Sequence, residues 1–544
     1  MRWIKVESSS MFDSEIQRAA TVVETCKLIV SAGINELAAR GGVDANQVIA
    51  YDLAHSAAAV EAARSAIDYG ARGEAEAKIA LAFIADVSAD IASRSFGREE
   101  AWGVEASMAA SMREFVATYR NPKFVASLAE TQAPTHLDQD FQLVQETFRR
   151  FANEQIAPVA DAIHRENLDV PENIIKGLSE MGAFGLSIPD SYGGFASGDD
   201  NDYMAMVVAT EELSRVSLAS GGSLITRPEI LARALLRGGT EEQKKHWLPK
   251  LASGEVMVAV AVTEPDFGSD VAGITTMATR CDGGWRINGV KTWCTFGARA
   301  DVLMVLARTD PDKSKAHRGL SLFVVAKPQG DGKGFIFEQP APASDPHVTG
   351  TMEGRPIHTI GYRGMHSYEI AFSNWFVPND AQVGLDEGLG KGFYFQMEGF
   401  ENGRIQTAAR AVGIMQAAYD VALEYARSRK VFGEPILNYE LTRFKLGKMA
   451  VTIQASRQFS YHVARLMSKG EGALAASMVK AYVCRAAEWV TREAMQIHGG
   501  MGYAEEFAVS RYFVDARVLS IFEGADETLS LKVIARRLVD SITE

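Results

Sequence analysis

VMVAVAVTE, residues 256–264, is where the chain changes texture. Upstream, apolar residues recur at helical spacing, whereas this run is a short block of β-branched and apolar residues of strand type. Four more blocks follow: GWRINGVKTWCTF (284–296), DVLMVLART (301–309), GLSLFVVAK (319–327) and SYEIAFSNWFVP (367–378). Turn signals such as Gly283-Gly284 and Asn288-Gly289 separate them. Together they predict a β-domain over residues 255–382. Among them lies QPAPASDPHVTGTMEGRP, 339–356, whose Pro and Gly content predicts an irregular excursion. Its residues 345–354 are expected to help close a small polar pocket.

On both sides of this block the pattern is helical. Residues 135–254 contain FQLVQETFRRFANEQIAPVADAI and TEEQKKHWLPKLASGE, interrupted by the loop PDSYGGFASGDDND. Residues 383–544 contain GRIQTAARAVGIMQAAYDVALEYARSRKVFG, in which Ile405, Ala408, Val412, Met415, Tyr419 and Leu423 share one face of a bundle helix ending near Gly433. In front stands an additional segment, residues 1–134, rich in Ala, Glu, Ile and Val. There Leu53, Ala57, Val60, Ala63 and Ile67 form an apolar stripe that predicts a helical layer packed on the rest. The expected order is an N-terminal helical extension, a helical domain, a β-domain and a C-terminal helical domain.

With 544 residues the chain exceeds what one hydrophobic core supports. A hydrophobic fraction of 47% with 23% charged residues is that of a folded soluble protein. The 56 basic and 69 acidic residues give a net charge of −13, which disfavours nucleic acid and anionic lipid surfaces. Cys26, Cys281, Cys294 and Cys484 form no CxxC pair, so neither a disulfide framework nor a metal centre is expected. The opening MRWIKVESSS lacks the apolar core of a signal peptide, and no apolar run approaches the roughly 20 residues of a membrane span. A cytoplasmic protein is the expectation. No GxGxxG follows a strand, and GxxxxGK[ST], HExxH and GxSxG are absent, which removes Rossmann, P-loop, zincin and hydrolase readings.

Five segments in order, AVTEPDFGSDVAG (261–273), NGVKTWCTFG (288–297), GYRGMHS (361–367), YARSRKVFG (425–433) and QIHGGMGY (496–503) with SIFEGADE (520–527), resemble the acyl-CoA dehydrogenases. These are FAD-dependent enzymes that introduce an α,β double bond into acyl-CoA thioesters, and the resemblance covers about residues 135–544. It implies a mainly helical fold with a central β-barrel or sandwich and a four-helix bundle, to which residues 1–134 add an extra domain.

The resemblance also assigns residues. Val262, Thr263 and Ser269 would line the isoalloxazine, with Ser269 also near the pantetheine; alone, such a loop is an ordinary hydroxyl-rich turn. Trp293 and Thr295 alternate on one strand and are expected to face the flavin together. Arg429 and Phe432 would reach the FAD of a neighbouring subunit, and Gln496, Gly499 and Gly500 would let the pyrophosphate approach bare backbone. Glu527 matches a position near the adenine. His498 reads as a packing residue.

Glu523 is the expected general base, because such a group must lie within hydrogen-bond reach of the proton it removes. Its own N–H is expected to bind the thioester oxygen. Some relatives carry the base at the position filled here by Gly403, which has no side chain to offer. Glu401 and Arg404 resemble groups that steer the CoA arm, and Phe522 and Gly524 flank the base. Phe522 and Ala525 depart from the Tyr and Thr common in the family.

The extension, the Pro-rich insert and the total length look like the members that oxidise a branched dicarboxylic thioester. The substrate carboxylate would need a buried cation, for which Arg227 is the candidate and Arg363 a weaker one. Electron-transfer flavoprotein is the implied acceptor, and a homodimer is expected, with the extension covering the surface through which other members form tetramers. Two rival readings share the fold: an acyl-CoA oxidase, and a nucleic-acid-associated flavoprotein. The end RRLVDSITE is not basic enough to favour the second.

Overall fold

The structure, a computed structural model, describes residues 11–199, 202–341 and 348–543. In chain order its main helices are α1 (Met11–Ala39), α2 (Gln47–Gly70), α3 (Glu74–Ser95), α4 (Pro122–Ser127), α5 (Asp202–Val216), α6 (Thr226–Gly238) and α7 (Glu241–Ser253). The strands are β1 (Val258–Ala261), β2 (Met277–Cys281), β3 (Gly284–Thr295), β4 (Val302–Arg308), β5 (Leu320–Ala326), β6 (Phe335–Gln339), β7 (Gly350–Ile357) and β8 (Ser367–Pro378). Helices α8 (Gly392–Ser428), α9 (Glu440–Ser468), α10 (Ala473–His498), α11 (Ala508–Val518) and α12 (Ala535–Thr543) follow. The protein is thus mainly helical with a central sheet and an N-terminal helical region. Two compact units result, Phe141–Gln406 and Met1–Asp140 with Thr407–Glu544, and the division falls inside α8. Among the described residues no helix is long and apolar enough to cross a membrane.

In the unit Phe141–Gln406 the strands run in the order β1-β4-β2-β3-β8-β7-β6, with β5 also on β4. Strand β4 pairs in parallel with β1 and antiparallel with β5, and every residue of it is buried. That is why DVLMVLART reads as a continuous apolar run and not an alternating one. Val258, Val262, Met304, Leu306, Leu322 and Val324 pack with Ile230, Leu231 and Leu235 of α6 and Leu248 and Leu251 of α7. Burial of each such side chain contributes about 2 kcal/mol. Helix α7 starts in a capping box between Thr240 and Gln243. The Gln243 amide also donates to Asp380 O and Gln382 O, which ties the helix start to the chain leaving β8.

The Pro- and Gly-rich insert departs from its expected irregularity. Residues 342–347, including Asp345, lie outside the described residues, but Gly350–Ile357 forms β7, hydrogen-bonded to β6 on one edge and to β8 on the other. Two partners outweigh poor strand propensity. Gly354 also has a packing reason, since a Cβ there would lie 2.3 Å from Phe335 Cε1.

In the other unit α2 and α3 of the extension pack on α9 and α10, and α4 crosses α9 so closely that a Cβ at Gly447 would lie 1.9 Å from Val125 O. Tyr69 donates to Pro134 O and accepts from the Gln454 amide, while Tyr419 of α8 donates to Ala129 O. These bonds seat the segment after the extension on the bundle. Helix α8 begins well before Gly403 and ends at Ser428. Lys430–Val431 then pairs with Glu434–Pro435 in a short hairpin, so the helix stops five residues before Gly433.

Candidate functional site

The loop after β1 is built around a buried ion pair. Lys291 of β3 is fully buried, and its Nζ donates to Glu264 Oε1 and to Val262 O, both at 2.9 Å. The Glu264 carboxylate also accepts from Thr275 N and Oγ1 and from Thr276 N. Burial alone would raise the Glu264 pKa, but Lys291 and these donors outweigh it and hold the group at about 2. Burial lowers the Lys291 ammonium to about 8 against the pull of Glu264, so at neutral pH both are charged. Thr292 N donates to Thr263 O at 2.8 Å, placing Thr263 beside Trp293. Ser269 and Gly268 are exposed, and a Cβ at Gly268 would meet nothing within 4 Å.

Trp293 and Thr295 do not alternate as the two-residue strand period predicts. The β3–β8 register slips between Lys291 and Cys294, and Trp293 takes φ 58°. A bulge of this kind redirects side chains. The indole is 56% exposed, whereas Thr295 is buried with its hydroxyl 3.1 Å from Ser367 Oγ.

Elsewhere in this unit Arg227, at the start of α6, is 6% exposed and donates from Nη2 to Tyr362 Oη at 3.2 Å. Glu229, two residues on, is buried, accepts from the Asn402 amide and has its pKa raised by burial. Arg363 bonds to the carbonyls of His164 and Thr359, a structural role. His366, unusual for its position, has Nδ1 2.7 Å from Asp169 Oδ1. Glu401 is half-buried and Arg404 buried, one turn apart on α8.

In the unit Met1–Asp140 with Thr407–Glu544, two groups of assigned residues come together. Tyr425 near the end of α8 stacks on His498 at the end of α10, with ring centroids 4.4 Å apart. The hairpin bearing Arg429 and Phe432 therefore lies beside Gln496, Gly499 and Gly500. His498 Nδ1 also lies 2.8 Å from Ala494 O, in keeping with a packing role. Arg429, Phe432, Gln496 and both glycines are exposed, and Phe432, at φ 52°, is 94% exposed. Gly499 adopts φ 60°, which suits glycine, and a Cβ at either glycine would meet nothing within 4 Å.

The second group is the corner after α11. Phe522 N donates to Val518 O, and the Phe522 ring lies 5.0 Å from the buried Arg410 guanidinium. Glu523 then takes φ 54° and Gly524 φ 94°. Left-handed backbone costs a non-glycine residue about 1 kcal/mol, so the surroundings must impose it. Lys480 Nζ donates to Gly524 O at 2.5 Å, and Asp526 N to Ser520 O at 3.1 Å, closing the turn. The corner holds Glu523 half-buried. Glu527 is exposed on the next turn.

Sequence reading passed over Glu264, Lys291 and Asp526. The signal for the first two was a charge inside each of two apolar blocks, because a buried charge needs a partner. For Asp526 it was a carboxylate directly after the Glu-Gly-Ala corner.

Within the unit Phe141–Gln406, bare backbone at Gly268 and the exposed indole at Trp293 suit a flat ring system; within the other unit, Gly499 and Gly500 offer bare backbone of the kind that admits a diphosphate. Comparison with known proteins agrees. The chain matches the family profiles described as acyl-CoA dehydrogenase N-terminal domain over residues 138–255, middle domain over 259–375 and C-terminal domain over 390–539. It is 43% identical over 405 residues to (2S)-methylsuccinyl-CoA dehydrogenase of Cereibacter sphaeroides, covering 74% of this chain and 70% of that one. Butyryl-CoA dehydrogenase from Megasphaera elsdenii superposes with a TM-score of 0.66 at 30% identity, over 74% of this chain and 99% of its own. A glutaryl-CoA dehydrogenase in complex with glutaryl-CoA gives 0.65 at 30% identity, over 74% and 96%.

Proposed function

The chain belongs to the acyl-CoA dehydrogenases, FAD-dependent oxidoreductases acting on CH–CH bonds, and on that premise we propose that it oxidises (2S)-methylsuccinyl-CoA to mesaconyl-CoA. The observation that carries the reading is the left-handed corner at Glu523 and Gly524, which presents one half-buried carboxylate.

Glu523 removes the α-proton and holds it on a carboxylate oxygen. Its backbone N–H donates to the thioester oxygen and stabilises the charge that develops there. Bound FAD supplies the acceptor for the β-hydride. Val262, Thr263, Ser269, Trp293 and Thr295 hold the ring system, and Gln496, Gly499, Gly500 and Glu527 the diphosphate and adenosine end. Arg429 and Phe432 reach the cofactor of a second subunit. Ser269, Glu401 and Arg404 guide the CoA arm, and Phe522 and Gly524 wall the thioester.

Arg227 binds the free carboxylate of the substrate. A buried guanidinium presents a planar fork of donors that matches a planar anion. In Arg227→Met, KM for methylsuccinyl-CoA is expected to rise about 30-fold, within the range for a lost charge-assisted bond, while butyryl-CoA turnover stays within a few-fold. Equal losses on both substrates would reduce Arg227 to a structural residue. The wild type is to be assayed with ferricenium, and with oxygen, against butyryl-, isovaleryl-, glutaryl- and methylsuccinyl-CoA; exclusive use of butyryl-CoA would refute the substrate.

The acceptor is electron-transfer flavoprotein, the compartment the cytoplasm and the assembly a homodimer. Support for the dimer comes from α2 and α3, which cover α9 and α10 with residues of the same chain, and from the almost fully exposed Phe432. A tetramer mass in sedimentation would refute it.

A further inference from the structure

The corner that bears Glu523 is held from an unexpected direction. Asp526, three residues on, is 7% exposed, and its Oδ2 faces two side chains of α2. Tyr51 donates its hydroxyl to this oxygen, and His55 Nε2 lies 3.2 Å from it. Asp526 Oδ1 is buried and has no hydrogen-bond partner among the described residues, so these two groups carry the hydrogen bonding of the carboxylate. Burial pushes His55 below its usual pKa, and Asp526 is held below the usual carboxylate range by His55 and Tyr51 against its burial. Ser530 Oγ is also 3.2 Å from His55 Nε2. Serine and aspartate thus meet the same ring nitrogen, which rules out a hydrolytic relay, where they must occupy opposite nitrogens.

We propose that Tyr51 and His55 of the N-terminal extension are positioning residues for Glu523, fixing the left-handed Glu523-Gly524 corner through the carboxylate of Asp526. The inference rests on Glu523 being the base. The corner is pinned on its upstream side by Arg410 and Ser520 and at Gly524 by Lys480, all outside the extension. On its downstream side Asp526 N is bonded to Ser520 O, but the Asp526 side chain depends on α2. Without Tyr51 and His55 a buried carboxylate loses its donors and moves toward water, and the backbone strain at Glu523 is released with it. The extension lies outside the three family matches, which begin at residue 138. It therefore joins the catalytic apparatus as an addition of this chain to the family site.

The test uses the full-length, FAD-loaded protein carrying Tyr51→Phe and His55→Leu. Loss of charge-assisted bonds is expected to lower kcat at saturating acyl-CoA by about ten- to a hundred-fold, with KM within two-fold and flavin content unchanged. Amide hydrogen exchange over residues 519–530, measured without substrate, should quicken about ten-fold or more. His55→Gln, which keeps an N–H at similar reach, should recover most of the rate. Unchanged kcat or unchanged exchange overturns the proposal. So does a rate loss that follows flavin loss and a rise in KM, the signature of a purely structural role. A wild type inactive on every acyl-CoA would sink the assignment of Glu523 as base, and with it the positioning role, while exchange would still report whether α2 holds the corner.

Discussion

Glu523→Gln is expected to retain its FAD and lose about 10³- to 10⁴-fold in kcat, or about 4–5.5 kcal/mol of transition-state stabilisation. The amide is isosteric, so the left-handed corner and the backbone N–H toward the thioester oxygen persist while the proton acceptor is gone. Substrate affinity should consequently change little, and solvent exchange of the substrate α-proton should vanish together with turnover. Gly403 offers no side chain on α8 to take over. Retention of more than a tenth of the rate, or α-proton exchange at the wild-type rate, would move the base elsewhere.

The second large effect concerns Lys291. Lys291→Met leaves Glu264 buried without its cation, and breaking such a pair costs about 3–5 kcal/mol. The loss falls on the loop carrying Thr263 and Ser269, because Lys291 also bonds Val262 O. Flavin release on heating or in urea should therefore occur much earlier in the variant. Adding Glu264→Gln to Lys291→Met should recover part of the loss, since the uncompensated charge is removed; strict additivity of the two would show that they do not act as a pair. Acid provides an independent check. The folded-state pKa of Glu264, about 2, lies below the ordinary value near 4.5, so its contribution is complete above pH 5 and is lost as pH falls toward 2. Flavin retention in the wild type should decline through that window, and Glu264→Gln should lack this component.

The candidate site residues could be named from the chain because they stand close together in it. TEPDFGSD, QIHGGMGY and SIFEGADE each place a candidate group and the backbone beside it within eight residues, and Gly499 takes the positive φ that only a glycine accepts easily. The succession of helices, strands and helices was also legible, since periodicity reports which face of an element is buried.

Three features were not. Strand β7 is made of residues with poor strand propensity and exists because β6 and β8 flank it. The bulge at Trp293 breaks a two-residue alternation that holds only while register is unbroken. The Tyr51 and His55 contacts with Asp526 join residues 475 and 471 positions apart, a distance over which no periodicity speaks.

From its residues alone, then, this protein declared its class of chemistry and offered Glu523 and a glycine-lined stretch of backbone as the candidates to carry it, because short-range covalent order sets which groups stand beside which. How the backbone turns at Glu523 and what keeps the loop after β1 in shape were decided by packing. A buried carboxylate must find its donors wherever the fold brings them, and here the fold brought them from α2 and from β3.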